Sequence, residues 1–278
     1  MIATNERGER KDLAPVLCDL CVPSRQNIST LSAAARLRML SRRGEPLFRA
    51  DWERVLMLHF EVDVKMLQRD VPYQLDLHDG RAFVSLVAFT MRGMRPRLGG
   101  RLAAWLFRPI ATHEFLNVRT YVRNGGETGI HFLAEWLSNR LAVKLGPAVF
   151  GLPYRHGHIR YEHDCESGQL RGRVADAGTE MPFEYRADLV VGAPFVPCER
   201  GSLDEWLMER YTAFNCARGR KKFFRIWHPP WPQVRVDVEL TSTSLLTQTW
   251  PWFAGAEFLF ANFSPGVRDV WMGRPHRC

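Results

Sequence analysis

The chain has 278 residues, of which 46% are hydrophobic and 24% charged, and its formal net charge is +8 at pH 7. These values are ordinary for a globular protein, and they exclude a disordered chain, a collagen and a coiled coil. The sequence contains no run of about 18 uncharged apolar residues, so it predicts no membrane-spanning helix.

Residues 1–45 are predicted to be a basic N-terminal extension that is partly disordered or forms a short helix. Residues 1–49 carry nine basic and five acidic side chains, so half of the net charge lies there. Apolar residues recur at every third position from 28 to 40, which fits a short amphipathic helix imperfectly. The first residues do not resemble a secretory signal, and we therefore expect a cytoplasmic protein.

Cys18 and Cys21 have the two-residue spacing of a zinc or redox pair. No second close pair completes a four-ligand zinc site, so we expect two reduced thiols and no metal. The remaining basic residues are scattered along the chain, which is not typical of a nucleic-acid-binding surface. We therefore do not expect nucleic acid as a partner.

From Asp51 onward the sequence has the pattern of β-structure, and residues 46–278 are predicted to form one domain. Asp79-Gly80 predicts a tight hairpin turn. Ser138 and Ser202 are predicted to cap helices. Alternating or continuous apolar runs predict strands at 54–62, 73–77, 82–91, 116–123, 129–137, 156–163, 169–174, 182–189, 222–227 and 233–241. Short helices are predicted at 63–69, 138–149 and 203–211. The fold class is α+β, dominated by antiparallel strands.

Six segments, in order across residues 50–270, resemble the YqjF-like bacterial proteins, domain of unknown function 2071. They are 58–62 (LHFEV), 79–87 (DGRAFVSLV), 116–122 (LNVRTYV), 150–154 (FGLPY), 228–232 (HPPWP) and 264–267 (SPGV). That family is placed in the acetoacetate decarboxylase-like superfamily. The resemblance implies a large curved, barrel-like antiparallel sheet with a few flanking helices and a cavity in the middle of the sheet.

The resemblance also implies that the decarboxylase mechanism is absent. The decarboxylases form a Schiff base through a Lys-Lys pair that directly follows a Gly-Phe-Pro motif. Here Gly151-Leu152-Pro153 is followed by Tyr154 and Arg155. Tyrosine forms no imine with a ketone, and arginine stays protonated. Lys144 is near in sequence, but its predicted helix should direct it elsewhere, and no cofactor is expected.

The same resemblance directs attention to the strand predicted at 116–123. If this strand lines the cavity, Asn117, Arg119 and Tyr121 share one face. Arg119 is then the predicted anchor for an anionic group, with Asn117 and Tyr154 orienting the ligand. The full predicted set of ligand-binding residues is Asn117, Arg119, Tyr121, Tyr154, Arg155 and His228.

Tyr154 and His156 are the candidates for acid–base catalysis. His156 and His158 would share one face of a strand, but no third metal ligand accompanies them. In relatives an acidic residue stands two positions before the asparagine. Here Phe115 occupies that position and Glu114 is displaced by one, which reverses its face in a strand.

Three functions remain open at this point. The first is a protein that binds a small organic molecule, with an anion as the favoured class, in a central cavity. The second is a lysine-independent enzyme of the lyase, hydratase or isomerase type, acting on a small carbonyl or carboxylate. The third is an interaction protein that uses its basic extension to bind nucleic acid or anionic lipid. The sequence leaves the oligomeric state open.

Overall fold

The computed structural model describes residues 30–179 and 181–278, which form thirteen strands and six α-helices. The strands are β1 (Phe48–Val62), β2 (Gln74–Leu75), β3 (Ala82–Pro96), β4 (His113–Asn124), β5 (Glu127–Leu137), β6 (Tyr154–His163), β7 (Gln169–Asp176), β8 (Pro182–Asp188), β9 (Thr212–Ala217), β10 (Arg220–Trp227), β11 (Val234–Thr243), β12 (Glu257–Met272) and β13 (His276–Arg277). The helices are α1 (Thr30–Leu40), α2 (Val64–Asp70), α3 (Gly100–Phe107), α4 (Arg140–Phe150), α5 (Leu203–Met208) and α6 (Ser244–Thr249).

The sheet closes on itself in two rings that share five strands. One ring runs β1-β3-β4-β5-β9-β10-β12, and the other runs β1-β3-β4-β5-β6-β7-β8-β11-β12. The rings separate because β5 pairs with β9 near one end and with β6 near the other, while β12 likewise pairs with β10 and β11 at different points. These two contacts of β5 are parallel, and the other ladders are antiparallel.

The five shared strands are buried on both faces, because each ring encloses its own hydrophobic core. In β1, Leu56, Leu58 and Phe60 pack into one core, whereas Val55 and Met57 pack into the other. This is why 54–62 reads as a continuous apolar run rather than an alternating one. The predicted α+β class with a large curved, barrel-like sheet and few helices is confirmed.

Several local predictions are confirmed by cap geometry. Asp63 caps α2 by accepting a hydrogen bond from the Met66 backbone N–H. Ser202 caps α5 by accepting from the Glu205 N–H at 3.2 Å. The strands predicted at 156–163, 169–174 and 182–189 are present as β6, β7 and β8, which pair antiparallel in sequence order.

Other local predictions are corrected. The turn at Asp79-Gly80 forms, with both residues at positive φ. It is flanked only by the isolated antiparallel bridge between His78 and Arg81, and not by two paired strands. The strand before it, β2, pairs with β4 instead of β3. Asn139 rather than Ser138 caps α4, because the Ser138 hydroxyl donates to the Glu114 carboxylate. Helix α3, strand β9 and the long strand β12 have no counterpart among the predicted elements.

Helix α1 packs against the body of the protein. The Ser32 hydroxyl donates to the His228 carbonyl at 2.8 Å, and the Trp227 indole N–H donates to the Ser32 carbonyl at 3.1 Å. Met39 is fully buried. The domain division at residue 45 stays a prediction, and the predicted cysteine pair at 18 and 21 lies outside the described residues. None of the described helices is long and apolar enough to cross a membrane.

The packing of α1 gives a test of its contribution to the folded unit. We expect Met39→Ala to lower the free energy of unfolding by about 2–5 kcal/mol, since it removes a buried side chain and leaves a cavity. Leu37→Ala on the same helix is the control, because Leu37 is 70% exposed and should change stability by less than about 0.5 kcal/mol. Urea denaturation of both variants measures the difference. Equal effects would show that α1 does not pack as described.

Candidate functional site

A cavity of about 350 Å³ lies inside the ring that contains β9 and β10. Aromatic and aliphatic side chains from β1, β3, β4, β10 and α4 form most of its wall, together with Phe107 and Ile110 beside α3. The polar side chains in the lining are His113, Asn117, Glu135 and Tyr154, besides the indole of Trp52. A largely apolar concave site with a few converging polar groups is the usual form of a small-molecule pocket.

Three of these polar residues form a row across neighbouring strands. Asn117 on β4 is paired in register with Glu135 on β5, and Glu135 is paired with Tyr154 at the start of β6. Residues directly opposite each other in adjacent strands direct their side chains to the same face of the sheet. The row therefore brings an amide, a carboxyl and a phenol to one side of the cavity.

The chain reaches Tyr154 through the Gly-x-Pro segment. Gly151 ends α4 in the left-handed conformation (φ +69°), and its N–H donates to the Pro147 carbonyl. Glycine is favoured there because it has no Cβ to oppose a positive φ. The Glu135 N–H then donates to the Pro153 carbonyl at 3.1 Å, which starts the pairing of β6 with β5. The motif thus places the next side chain, Tyr154, beside Glu135.

Glu135 supplies the carboxyl of the row. Its side chain is buried, and burial raises the pKa of its carboxyl well above the usual value. Its Oε2 and the Asn117 Oδ1 are both buried without a hydrogen-bond partner among the described residues. Buried polar atoms are nearly always paired, so two unpaired atoms in one row suggest a site for an external hydrogen-bonding group.

Tyr154 and His113 are also held neutral. Burial, and then the neighbouring Glu135 carboxyl, raise the pKa of the Tyr154 phenol. Burial lowers the pKa of His113 to about 4. Desolvation disfavours the charged form in each case. The cavity lining therefore carries no positive charge at neutral pH.

Gly146 on α4 is required for the position of Tyr154. A Cβ at residue 146 would overlap the Tyr154 ring. The Tyr154 ring also meets the edge of Phe115, with the ring centroids 6.2 Å apart. Tyr154 is therefore held between α4 and β4.

The structure places Arg119 and Tyr121 on the same face of β4 as Asn117, but outside the cavity lining. Helix α5 covers this half of the strand. The Arg119 guanidinium and the Tyr121 hydroxyl both donate to the Leu207 carbonyl, at 3.1 and 3.0 Å. Both side chains are therefore occupied in fixing α5 to the sheet.

The other three sequence-predicted residues also lie outside the cavity lining. Arg155 is exposed, and its guanidinium lies 5.4 Å from the Trp136 ring centroid. His156 lines a separate surface groove with His158 and Arg140. His228 is buried, donates from Nδ1 to the Pro229 carbonyl and stacks on Tyr211. Of the predicted set, the structure brings Asn117 and Tyr154 together.

Sequence reasoning does not single out Glu135. The available signal is an acidic residue in the otherwise apolar run 132–137, which is rare unless the acid has a role. Glu114, the acid that the sequence does draw attention to, lies outside the cavity lining and accepts from Ser138.

The family model DUF2071, described as an uncharacterized conserved protein, matches residues 49–266. The chain belongs to this family. It is 31% identical over 202 residues to the uncharacterized protein YqjF of Bacillus subtilis (strain 168), and the alignment covers 70% of this chain and 78% of the relative.

Solved structures show the fold of this DUF2071 protein. The enduracididine biosynthesis enzyme MppR, complexed with the condensation product of pyruvate and imidazole 4-carboxaldehyde, is 12% identical with a TM-score of 0.61, over 84% of this chain and 89% of that one. The acetoacetate decarboxylase from Legionella pneumophila subsp. pneumophila is 11% identical with a TM-score of 0.56, over 84% and 87%. The fold is therefore acetoacetate decarboxylase-like, as the sequence resemblance implies.

The raised pKa of Glu135 predicts a pH-dependent difference between the native protein and Glu135→Gln. The pKa of the Glu135 carboxyl is higher in the folded protein than in the unfolded chain, where it is about 4.5. The free energy of unfolding therefore falls as the pH rises above about 4.5. We expect Glu135→Gln to gain stability relative to the native protein by up to about 1.4 kcal/mol per pH unit above that value, until Glu135 ionises.

Denaturant unfolding at pH 5 and pH 8 measures this difference. The control is Glu162→Gln, an exposed carboxylate on β6. A stability difference for Glu135→Gln that is the same at both pH values would show that Glu135 is not buried as an uncharged acid.

Proposed function

We propose that this protein binds a small organic molecule with an apolar body and one hydrogen-bonding end in the central cavity. The observation that carries the proposal is the row of Asn117, Glu135 and Tyr154, which stands in a cavity whose other walls are almost entirely apolar. A carbonyl, carboxyl or hydroxyl group of the ligand would pair with the unpaired Asn117 and Glu135 oxygens or with the Tyr154 hydroxyl, according to its donors and acceptors.

The lining supports an uncharged head group better than the anion predicted from Arg119. Among the described residues no lysine or arginine lines the cavity, and the Arg119 guanidinium donates to the Leu207 carbonyl. A carboxylic ligand would therefore enter as the neutral acid or share a proton with Glu135. MppR, which has the same fold, is described as complexed with pyruvate, a small oxo acid, and this supports a ligand of comparable chemistry.

Acid–base catalysis is a second candidate function, and the raised pKa of Glu135 favours it. A buried carboxyl whose pKa is raised holds its proton more readily, and it can donate that proton to a ligand carbonyl and take one back. Tyr154, paired in register with Glu135, would hold the same oxygen. The corresponding reactions are hydration, isomerisation or carbon–carbon lysis of a small carbonyl compound.

We further propose that any such reaction proceeds without a Schiff base. Tyr154 occupies the position after Gly-x-Pro at which the resemblance places the imine-forming lysine. The described lysines all lie outside the cavity lining, namely Lys65, Lys144, Lys221 and Lys222.

Ligand binding is tested with a panel of short keto acids, ketones and aldehydes, by calorimetry on the native protein and on Asn117→Leu. We expect at least one compound to bind, and Asn117→Leu to weaken its binding by about 5- to 100-fold, which corresponds to about 1–3 kcal/mol. Asn124→Leu is the matched control, because Asn124 is on the same strand but outside the cavity lining. Equal losses in both variants would contradict the proposed site.

Imine chemistry is tested by adding borohydride to the same mixtures and measuring the intact mass. We expect no adduct on the native protein. Tyr154→Lys is the positive control, because a lysine in an apolar cavity has a lowered pKa and is nucleophilic. A stoichiometric adduct mapped to Lys144 of the native protein would overturn the lysine-independent proposal.

A further inference from the structure

Helices α3 and α4 present apolar side chains to the outside of the protein. None of the eight side chains of α3 is buried, and Leu102, Trp105 and Leu106 share one face at spacings of three and four residues with exposures of 61–69%. On α4, exposed apolar residues recur at every fourth position, at Leu141, Leu145 and Val149. Exposed large apolar groups clustered in this way mark interaction sites on soluble proteins.

The two helices flank the same cavity. The Asn139 side chain, which caps α4, donates to the Pro109 carbonyl in the turn after α3 at 2.7 Å. Phe107 of α3 and Phe150 of α4 both contact Phe48, with ring centroids 5.4 and 6.0 Å away. We call this region the α3–α4 surface, defined by Leu98, Leu102, Trp105, Leu106, Leu141, Leu145 and Val149.

The two segments that carry this surface contain only positive charges. Residues 97–108 and 140–150 contain no aspartate or glutamate, and they carry five exposed basic residues, Arg97, Arg101, Arg108, Arg140 and Lys144. None of these five forms an ion pair with a described residue. Elsewhere several arginines are paired, for example Arg92 with Glu53 and Arg235 with Asp204. The α3–α4 surface is thus apolar and cationic at once.

We propose that the α3–α4 surface docks on an anionic lipid bilayer. Leucine and tryptophan side chains on one helix face enter the boundary between headgroups and acyl chains, while flanking arginine and lysine side chains bind the lipid phosphates. A second copy of this chain fits the surface less well. A symmetric contact would bring the same five cations against each other, and like charges across an interface cost several kcal/mol.

Docking in this way would set the cavity opening against the lipid. Leu145 and Val149 line the cavity and are also 48% and 45% exposed, so the cavity reaches the surface beside α4. A ligand with an apolar body could then pass between bilayer and cavity without crossing water. This consequence rests on the proposed function, whereas the docking itself does not.

The experiment is flotation of the full chain with vesicles of phosphatidylcholine alone or mixed equally with phosphatidylglycerol. We expect binding to the mixed vesicles, much weaker binding to the neutral ones, and a loss of binding in 0.5 M salt, since salt screens the contact between lysine or arginine and phosphate. Absence of binding to the mixed vesicles at low salt would overturn the proposal.

Variants separate this surface from other routes to the membrane. The double variant Trp105→Glu/Leu106→Glu should lower vesicle binding at least tenfold, and Arg101→Gln/Arg108→Gln about fivefold for each charge removed. The control is Val190→Asp/Val191→Asp, which changes an equally exposed apolar pair outside this surface. Circular dichroism and thermal unfolding confirm that each variant folds, as expected for exposed positions.

Two outcomes would contradict the proposal even if the native protein binds vesicles. Undiminished binding by Trp105→Glu/Leu106→Glu would assign the interaction to another part of the chain, such as residues 1–29. A lipid-free dimer in light scattering that this variant converts to a monomer would show that a second copy covers the surface. Neither outcome bears on ligand binding in the cavity, which the Asn117→Leu titration tests separately.

Discussion

The structure depends on the burial of five strands on both faces. Strands β12, β1, β3, β4 and β5 belong to two closed rings at once, and each ring packs a separate hydrophobic core against one face. Neither face of a strand in this position is open to solvent, so a polar side chain there loses its hydration, which costs free energy. Every polar side chain that is buried on these strands therefore needs a partner inside the protein or a ligand.

Strand β4 shows both ways of meeting this requirement. In its second half, the Tyr121 hydroxyl hydrogen-bonds Ser85 at 2.5 Å and Leu207, and Arg119 also donates to Leu207. The first half of the strand is different, because the Asn117 Oδ1 has no partner among the described residues. The difference arises because α5 supplies a carbonyl to one half, while the cavity lies against the other. Asn117 and Glu135 of the polar row are thus among the buried side chains of the shared strands whose hydrogen bonding the fold leaves incomplete.

The sequence allows the fold class and two of the site residues to be predicted. Apolar runs and turn residues predict most of the strands, and the Gly-x-Pro segment draws attention to Tyr154, which lies in the cavity lining. A period of two places Asn117, Arg119 and Tyr121 on one face, which the structure also has. Periodicity does not show that α5 covers half of that face, or that the register between β4 and β5 shifts between Val118 and Arg119.

The pairing partners of Glu135 cannot be predicted from the residue pattern of its own strand. Its pairing with Asn117 on one side and Tyr154 on the other depends on the register of three strands, one of which reaches β5 only after the intervening helix α4. Strand register over such a distance follows from tertiary packing and is not encoded in the local pattern. The corrected pairing of β2 with β4 has the same origin, since the Asp79-Gly80 turn forms locally while the strand before it finds a more distant partner.

The distribution of charge around the cavity limits the chemistry that it can support. The lining holds a carboxyl, a phenol and an imidazole, and burial favours the neutral form of all three. The exposed guanidinium and ammonium groups of residues 97–108 and 140–150 are not part of the lining. In a cavity with no fixed cation, an incoming ion would lose its hydration without gaining a counter-charge, which costs far more than the transfer of a neutral polar group. A protonated Glu135 can still donate a hydrogen bond to an oxygen of a neutral ligand. The ligands proposed for the interior are therefore uncharged or proton-sharing, while the cationic exterior suits an anionic surface. Leu145 and Val149 belong both to the cavity lining and to the α3–α4 surface, so the two regions meet at the cavity opening.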